Sequence, residues 1–295
     1  MTLKQREAKN GLLIIVPQLL YFLVFTGVPL VMLFYYATRD YNILKNLNEF
    51  NGLDNFIKIF KQPEYVESMQ TTLIMSVLIT FFTVVISFFL ALGLNKVIVG
   101  KGFLRTIWYI PVLLPMYVIS RLLTTWLAEE GSMNRLFEMI GLQGQDWFRS
   151  TFWMYFWIIL IVVWKGLGGT TLVFMASLGG VDKGILEAAD MDGANGWQKL
   201  AKITIPLIRP MMGYILITQF IGAFQILDPV LLISGGGPDQ TTKVIMYRIY
   251  DEAFTNNNFG FACALSVVVF VFIMILTLVN NKITGGTMFK MSDAD

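Results

Sequence analysis

Repeated apolar runs of about 20 residues constrain this chain more than any other feature. They cover residues 11–36, 71–94, 103–127, 152–178, 211–233 and 261–280. At a rise of ~1.5 Å per residue, each run is long enough to cross the ~30 Å hydrocarbon layer of a bilayer once as a helix. Only helices and closed barrels satisfy every backbone amide in lipid, and these runs lack the apolar–polar alternation of barrel strands. The sequence therefore predicts an all-α polytopic membrane protein with six transmembrane helices, organised as a single domain over 1–295. Hydrophobic residues make up 56% of the chain and charged residues 14%, so most of its surface must meet lipid or other helices.

Composition also removes whole classes of function. The chain has no histidine, hence no imidazole to act as base, proton shuttle or metal ligand. A formal net charge of +2 gives no reason to expect nucleic acid as a partner. The single cysteine, Cys263, lies in an apolar run and reads as a small packing residue. No Gly-x-x-x-x-Gly-Lys-Ser/Thr phosphate cradle occurs, and no nucleophile constellation stands out. No catalytic residue, bound metal or cofactor is expected on this chain.

Basic residues set the expected orientation. With the N-terminus inside, Lys4, Arg6, Lys9, Lys96, Lys101, Arg105, Lys183, Lys199, Lys202, Arg209, Lys282 and Lys290 all fall on the cytoplasmic side. Most carboxylates, among them Asp40, Glu49, Glu129, Glu130, Asp239 and Glu252, then fall outside. Both termini are expected in the cytoplasm. Trp108, Trp126, Trp147, Trp153 and Tyr155 lie near run ends, either as interfacial anchors or as packing residues.

The inner segment 179–210 is too polar to span, yet it is patterned. Gly179-Gly180 can end the fourth span, and the Asp182 carboxylate can cap a short helix after it. Gly193 suits the left-handed residue that ends this helix. Asn195 with Gln198 reads as a capping box opening a second short helix, which Pro206 is expected to help terminate. On the first helix Ile185, Ala188, Ala189 and Asp192 share a face of little bulk, with Glu187 at its side. Such a helix–glycine–helix elbow is either a docking surface or a solvated connector.

Glu187-Ala188-Ala189, Asp192-Gly193-Ala194 and Ile203-Thr204-Ile205-Pro206, after the fourth of six runs, resemble the EAA loop of binding-protein-dependent ABC importer permeases. The resemblance implies that this loop is a coupling helix docking on an ATP-binding subunit. Asn51-Gly52-Leu53-Asp54-Asn55-Phe56 and the outer run Ser234-Gly235-Gly236-Gly237-Pro238 resemble segments of maltose-type sugar permeases, the carbohydrate-uptake branch. By that resemblance the partners are a second permease, commonly a different one in a heterodimer, two ATP-binding subunits carrying ATP and Mg, and an external solute-binding protein. Gly235, Gly236, Gly237 and Pro238 would then meet the binding protein. The location implied is the bacterial cytoplasmic membrane. Val181-Asp182 departs from the Ile-Pro frequent in that branch, and no contact specific to the extra N-terminal spans or large outer domain of the maltose prototype is expected of these residues.

Polar residues inside spans point to a solute pathway or to helix–helix glue. Lys165 sits near mid-depth of the fourth run beside Trp164, with Gly166, Gly168 and Gly169 following. In the fifth run Thr218, Gly222, Gln225 and Asp228 fall at helical spacing, with Phe224 nearby as a surface for a sugar ring. The function expected is import of a sugar or oligosaccharide. The alternatives are the same scaffold carrying a polyol or glycerol phosphate, and an ion-coupled carrier, which would use Lys165 and Asp228 but leave the elbow unexplained.

Overall fold

A computed structural model of the chain describes residues 3–96 and 100–284. Lys290 lies outside the described residues, as do the side chains of Lys4, Arg6, Lys9, Lys96 and Lys101. The chain forms two compact units, one of residues up to Val66 together with Arg248–Val271, the other of Glu67–Tyr247 and the chain from Phe272 onward.

In the first unit, α1 (Leu3–Phe22) passes through a π turn at Leu23–Gly27 into α2 (Val28–Ala37). This rod holds the first apolar run. No residue of its apolar window is buried, and its protein contacts gather toward the end of α2, where Phe34 meets Phe270 edge-on at 6.1 Å and Ala37 is buried. A hairpin follows, β1 (Arg39–Asn42) antiparallel to β2 (Leu47–Phe50) with Arg39 opposite Phe50, a small addition to an otherwise helical fold. The Asn51–Phe56 segment leads into α3 (Asp54–Lys61). Buried Asn55 donates to the carbonyls of Ala37 (3.0 Å) and Arg39 (2.9 Å), so this side chain pins the end of the first span to the hairpin. Arg248, 8% exposed, is paired with Glu64 at 2.9 Å, which supplies the partner a buried cation requires.

The second unit contains the long helices. The second run lies within α4 (Pro63–Lys96). One face of α4 carries Ser68, Thr72, Ser76, Thr80, Thr83 and Ser87, all buried, spaced three or four residues apart. Small hydroxylated residues at this spacing let neighbouring helices approach closely, as membrane bundles require. Thr72 Oγ1 accepts from the Ile245 amide at 2.7 Å, and Ser87 Oγ donates to Leu167 O at 3.3 Å.

The third run, expected as one span over 103–127, is not one continuous helix. It is broken into α5 (Lys101–Leu113) and α6 (Met116–Trp126), which meet at 88°. Pro115 has no N–H to donate and forces Leu114 into extended backbone (ψ 135°), so the helical ladder cannot continue. After α7 (Ser132–Met139), Trp147 is an internal packing residue rather than an interfacial anchor. It is 1% exposed, and its indole donates to Asn134 Oδ1 at 2.8 Å.

α8 (Thr151–Gly179) holds the fourth run and is the central helix, with half of its apolar window buried. α5 packs across it at Gly168, where a Cβ would stand 2.2 Å from the Trp108 carbonyl oxygen. Short helices α9 (Lys183–Met191) and α10 (Gly196–Lys199) come next.

The fifth run is also displaced from its expected bounds of 211–233. α10 continues through a π turn at Leu200–Thr204 into α11 (Ile205–Phe224), giving one helical path over Gly196–Phe224. Pro206 therefore does not end a helix; it stands in the first turn of α11, two residues past the π turn. The same arrangement occurs where Pro29 follows Leu23–Gly27, and in both cases the wider turn opens the ladder where the proline ring would strike a carbonyl. The path stops at Phe224 because Pro229 has no N–H to return to Gln225. A π turn at Val230–Ser234 and α12 (Ile245–Tyr250) lead to α13 (Phe259–Ile283), which contains the sixth run.

Candidate functional site

The elbow after α8 is built almost entirely by local hydrogen bonds. Asp182 Oδ1 accepts from the Gly184 amide at 2.8 Å and opens α9, so Asp182 serves as the cap where proline was missing. At the other end, the Gly193 amide donates to Asp190 O (3.0 Å) and the Ala194 amide to Ala189 O (2.9 Å). These two bonds define a Schellman closure, and Gly193 takes its left-handed position at φ +77°. Asn195 and Gln198 then exchange side-chain-to-backbone bonds of 2.8 and 2.9 Å, the capping box of α10.

This geometry sorts the residues singled out from the sequence. Glu187, Ala188, Asp192 and Gly193 are exposed, Ala194 and Ile203 half-buried, and Pro206 exposed. Ala189 is 8% exposed and turns inward, so the expected shared face is open only at Ile185, Ala188 and Asp192. Two large apolar residues that the spacing argument missed project outward here: Met191 (88% exposed) and Trp197 (70% exposed). Both flank the Gly193 turn and were legible in principle as apolar residues within a polar segment.

A second constellation surrounds a cavity of about 400 Å³ within the unit formed by α4, α6, α8 and α11. Its wall brings together Lys165, Gly222, Gln225 and Asp228 from the sequence-based candidates. The grouping does not come from one helical stripe, because α11 ends at Phe224, Gln225 lies in the turn beyond it and Asp228 opens the next helical turn. Three candidates fall elsewhere. Phe224 is fully buried against Phe220 and Phe272, so it offers no face to a solute. Trp164 points into an apolar cleft with Leu160 and Trp126. Thr218 is exposed, and its hydroxyl donates back to Tyr214 O at 2.8 Å. Gln219, one residue on, takes its place in the cavity wall; its spacing of three from Gly222 was the available signal. Near Gly166 the buried Thr83 hydroxyl has no hydrogen-bond partner among the described residues.

Among the described residues Lys165 is paired with no carboxylate. Its Nζ donates to Val112 O at 3.0 Å and Leu114 O at 2.7 Å, two carbonyls that the proline break deprives of helical partners. The end of α5 is also where a helix dipole favours a cation.

In the loop after α11, Thr242 is fully buried, with its hydroxyl 2.7 Å from Gly237 O and 2.8 Å from Ser234 Oγ. Gly236 is buried beneath the Lys243 side chain, and Gly237 and Pro238 are half-buried. Only Gly235 of the four candidate residues is open.

Apolar helices long enough to cross a membrane, a cavity with polar walls and a capped elbow between the fourth and fifth runs are the features of a transport permease. Residues 83–283 match the family described as "Binding-protein-dependent transport system inner membrane component", and the chain belongs to that family. It is an inner-membrane, multi-pass transport component. The sn-glycerol-3-phosphate transport system permease protein UgpA of Salmonella typhimurium is 28% identical over 270 residues, covering 90% of this chain and 91% of that protein. The trehalose/maltose transport system permease protein MalF of Thermococcus litoralis is 29% identical over 286 residues, covering 95% of each. In fold, the chain is similar to a subunit of a bacterial ABC transporter involved in import of the acidic polysaccharide alginate. The TM-score is 0.82 at 24% identity, over 96% of this chain and 98% of that one. The same fold match, at 23% identity, extends to the alginate transporter in complex with an alginate pentasaccharide-bound periplasmic protein.

Proposed function

We propose that this chain is the translocating subunit of an ATP-driven importer for a sugar, an oligosaccharide or a small phosphorylated polyol. The observation that carries the proposal is the elbow: a rigidly capped turn after α8 that presents Ile185, Met191 and Trp197 to solvent beside Glu187. Three exposed apolar side chains on a polar segment call for a protein partner. A separate ATP-binding subunit, one of two carrying ATP and Mg, fills that role in an importer of this family. Glu187, Ala188, Asp192, Gly193 and Ala194 make the contact, Ala189 holds α9 from behind, and Ile203 and Pro206 transmit its movement into α11. Orientation follows: the elbow and both termini lie in the cytoplasm of a bacterial cell, the chain acting as one permease domain.

The solute passes the cavity of Lys165, Gln219, Gln225 and Asp228, whose mixed donors and acceptors suit hydroxyl groups. UgpA is named for glycerol phosphate and MalF for trehalose and maltose, which supports a polyhydroxylated solute. The alginate neighbour's complex with a periplasmic protein supports delivery by an external binding protein, received at an outer surface that includes Gly235. A second permease, a different chain in the sugar branch, completes the pathway. Lipid covers the exposed first span.

The test is reconstitution with candidate ATPases and binding protein in liposomes. Uptake should require both ATP hydrolysis and binding protein, and Glu187→Lys should leave membrane insertion intact while cutting uptake at least tenfold. Uptake driven by an ion gradient without ATP would overturn the reading.

A further inference from the structure

The break in the third span and the solute cavity share one side chain. Met116, the first residue of α6, and Lys165 both line the cavity. The Lys165 ammonium has three N–H groups, and the bonds to Val112 O and Leu114 O occupy two of them. In a continuous helix Val112 O would receive the Met116 amide and Leu114 O the Val118 amide. Instead the Val118 amide donates to Pro115 O at 3.1 Å and the Leu114 amide to Pro111 O at 3.3 Å. A carbonyl left unpaired away from water is costly, and an ammonium left without a partner there is costlier still, so each needs the other.

We infer that Lys165 is a clasp: it holds the bent α5–α6 pair by its two orphaned carbonyls and offers its remaining N–H to a solute oxygen in the cavity. A solute hydroxyl or phosphate oxygen that engages this third N–H draws the ammonium toward the cavity and lengthens its bonds to Val112 O and Leu114 O, and the bend responds. Solute occupancy is thereby read out as a change in the third span, through a positioning residue that need not move far. Among the described residues Lys165 has no carboxylate partner, so the two carbonyls are its ground-state ligands. This inference rests on the cavity being the solute pathway, as proposed above.

The experiment uses the assembled transporter with spin labels at Ile107→Cys on α5 and Leu122→Cys on α6, both exposed, in a Cys263→Ser background. Distances are measured by pulsed EPR with and without saturating maltose, trehalose or sn-glycerol-3-phosphate, alongside radiolabelled uptake of each. Lys165→Met should broaden or shift the solute-free distribution and abolish any solute-induced shift, while Lys165→Arg should restore both in part. Pro115→Ala gives Leu114 and its neighbours a route back to a helical ladder, so adding Lys165→Met to it should change the distribution less than in the native background. If Lys165→Met matches the native distribution, the clasp is wrong. If solute still shifts the bend in Lys165→Met, the coupling is wrong. If the native complex transports none of the three solutes, the proposed solute class fails, while the solute-free distances still decide the clasp. Should Lys165→Met not assemble, the Pro115→Ala pair decides: equal failure there refutes a role tied to the break.

Discussion

The elbow at residues 182–199 and the break at residues 112–116 are both places where a helix stops and the chain turns, but they are held on opposite scales of sequence distance. The capping bonds that close the elbow join residues two to five apart, from Asp182–Gly184 to Ala189–Ala194, and the surface pair Lys199–Asp190 spans nine. The break is closed from α8, by a lysine 53 residues from Val112 and 51 from Leu114. A locally closed turn keeps its shape when pushed from outside, which suits a part that transmits force. A turn closed by a distant side chain keeps its shape only while that contact persists, which suits a part that changes.

If this contrast is right, damage near the break should spread and damage in the elbow should stay local. The largest effect is expected at Gly168. Valine there would place Cβ against the Trp108 carbonyl, at 2.2 Å, forcing α5 away from α8 and with it the carbonyls from Lys165. Overpacking of this severity should cost at least about 3 kcal/mol, read as a fall in the thermal midpoint of the purified chain in detergent. Gly169→Ala, one residue on, meets nothing within 4 Å and should be neutral or slightly stabilising through helix propensity, by up to about 1 kcal/mol. Equal midpoints for the two variants would remove the case for a tight α5–α8 seam.

Next in size is Gly193→Ala. The left-handed φ of +77° should cost about 1–2 kcal/mol of local stability, although the space around the position is empty. Hydrogen exchange should show faster exchange of the Gly193-region amides while α5, α6 and α8 stay protected. Loss of protection in those helices would mean that the elbow is not an autonomous turn. Asp182→Ala should come third, at about 1 kcal/mol, confined to the first turn of α9.

The same difference of scale explains what could be read from the sequence. Asp182, Gly193 and the Asn195–Gln198 box were legible because each signal and its effect lie within a few residues, and their hydrogen bonds form as those signals imply. The long apolar runs were legible for a similar reason, since lipid imposes one length on all of them. Pro115 was overlooked because a proline in an apolar run reads as a tolerated kink until its orphaned carbonyls are located. Pro206 misled in the other direction: a π turn absorbs it, and that turn has no sequence signature. The helical stripe read over Thr218–Asp228 stops at Phe224, so Gln225 and Asp228 reach the cavity wall from beyond the helix, and the wall holds Gln219 rather than Thr218. The hydroxyl face of α4, Ser68 to Ser87, carried a regular spacing that could have been found, because its period is local even though its partners are not.

The smallest effect tests the elbow at its ion pair. Lys199 pairs with Asp190 across the Gly193 turn, joining the end of α10 to α9. The pair sits at the surface, with side-chain exposures of 24% for Lys199 and 56% for Asp190, so solvent and salt screen most of its attraction. The capping bonds on either side are not screened in that way, because they satisfy backbone amides that would otherwise lose a partner. Lys199→Ala should therefore cost less than about 0.5 kcal/mol, and the difference from the native chain should shrink further in high salt. Exchange rates at Gly193 and Ala194, compared between Lys199→Ala and Asn195→Ala at low and high salt, separate the two sources of stiffness. A loss in Lys199→Ala as large as that in Asp182→Ala would mean that charge rather than capping closes the turn, and the elbow would then soften with ionic strength instead of holding its shape.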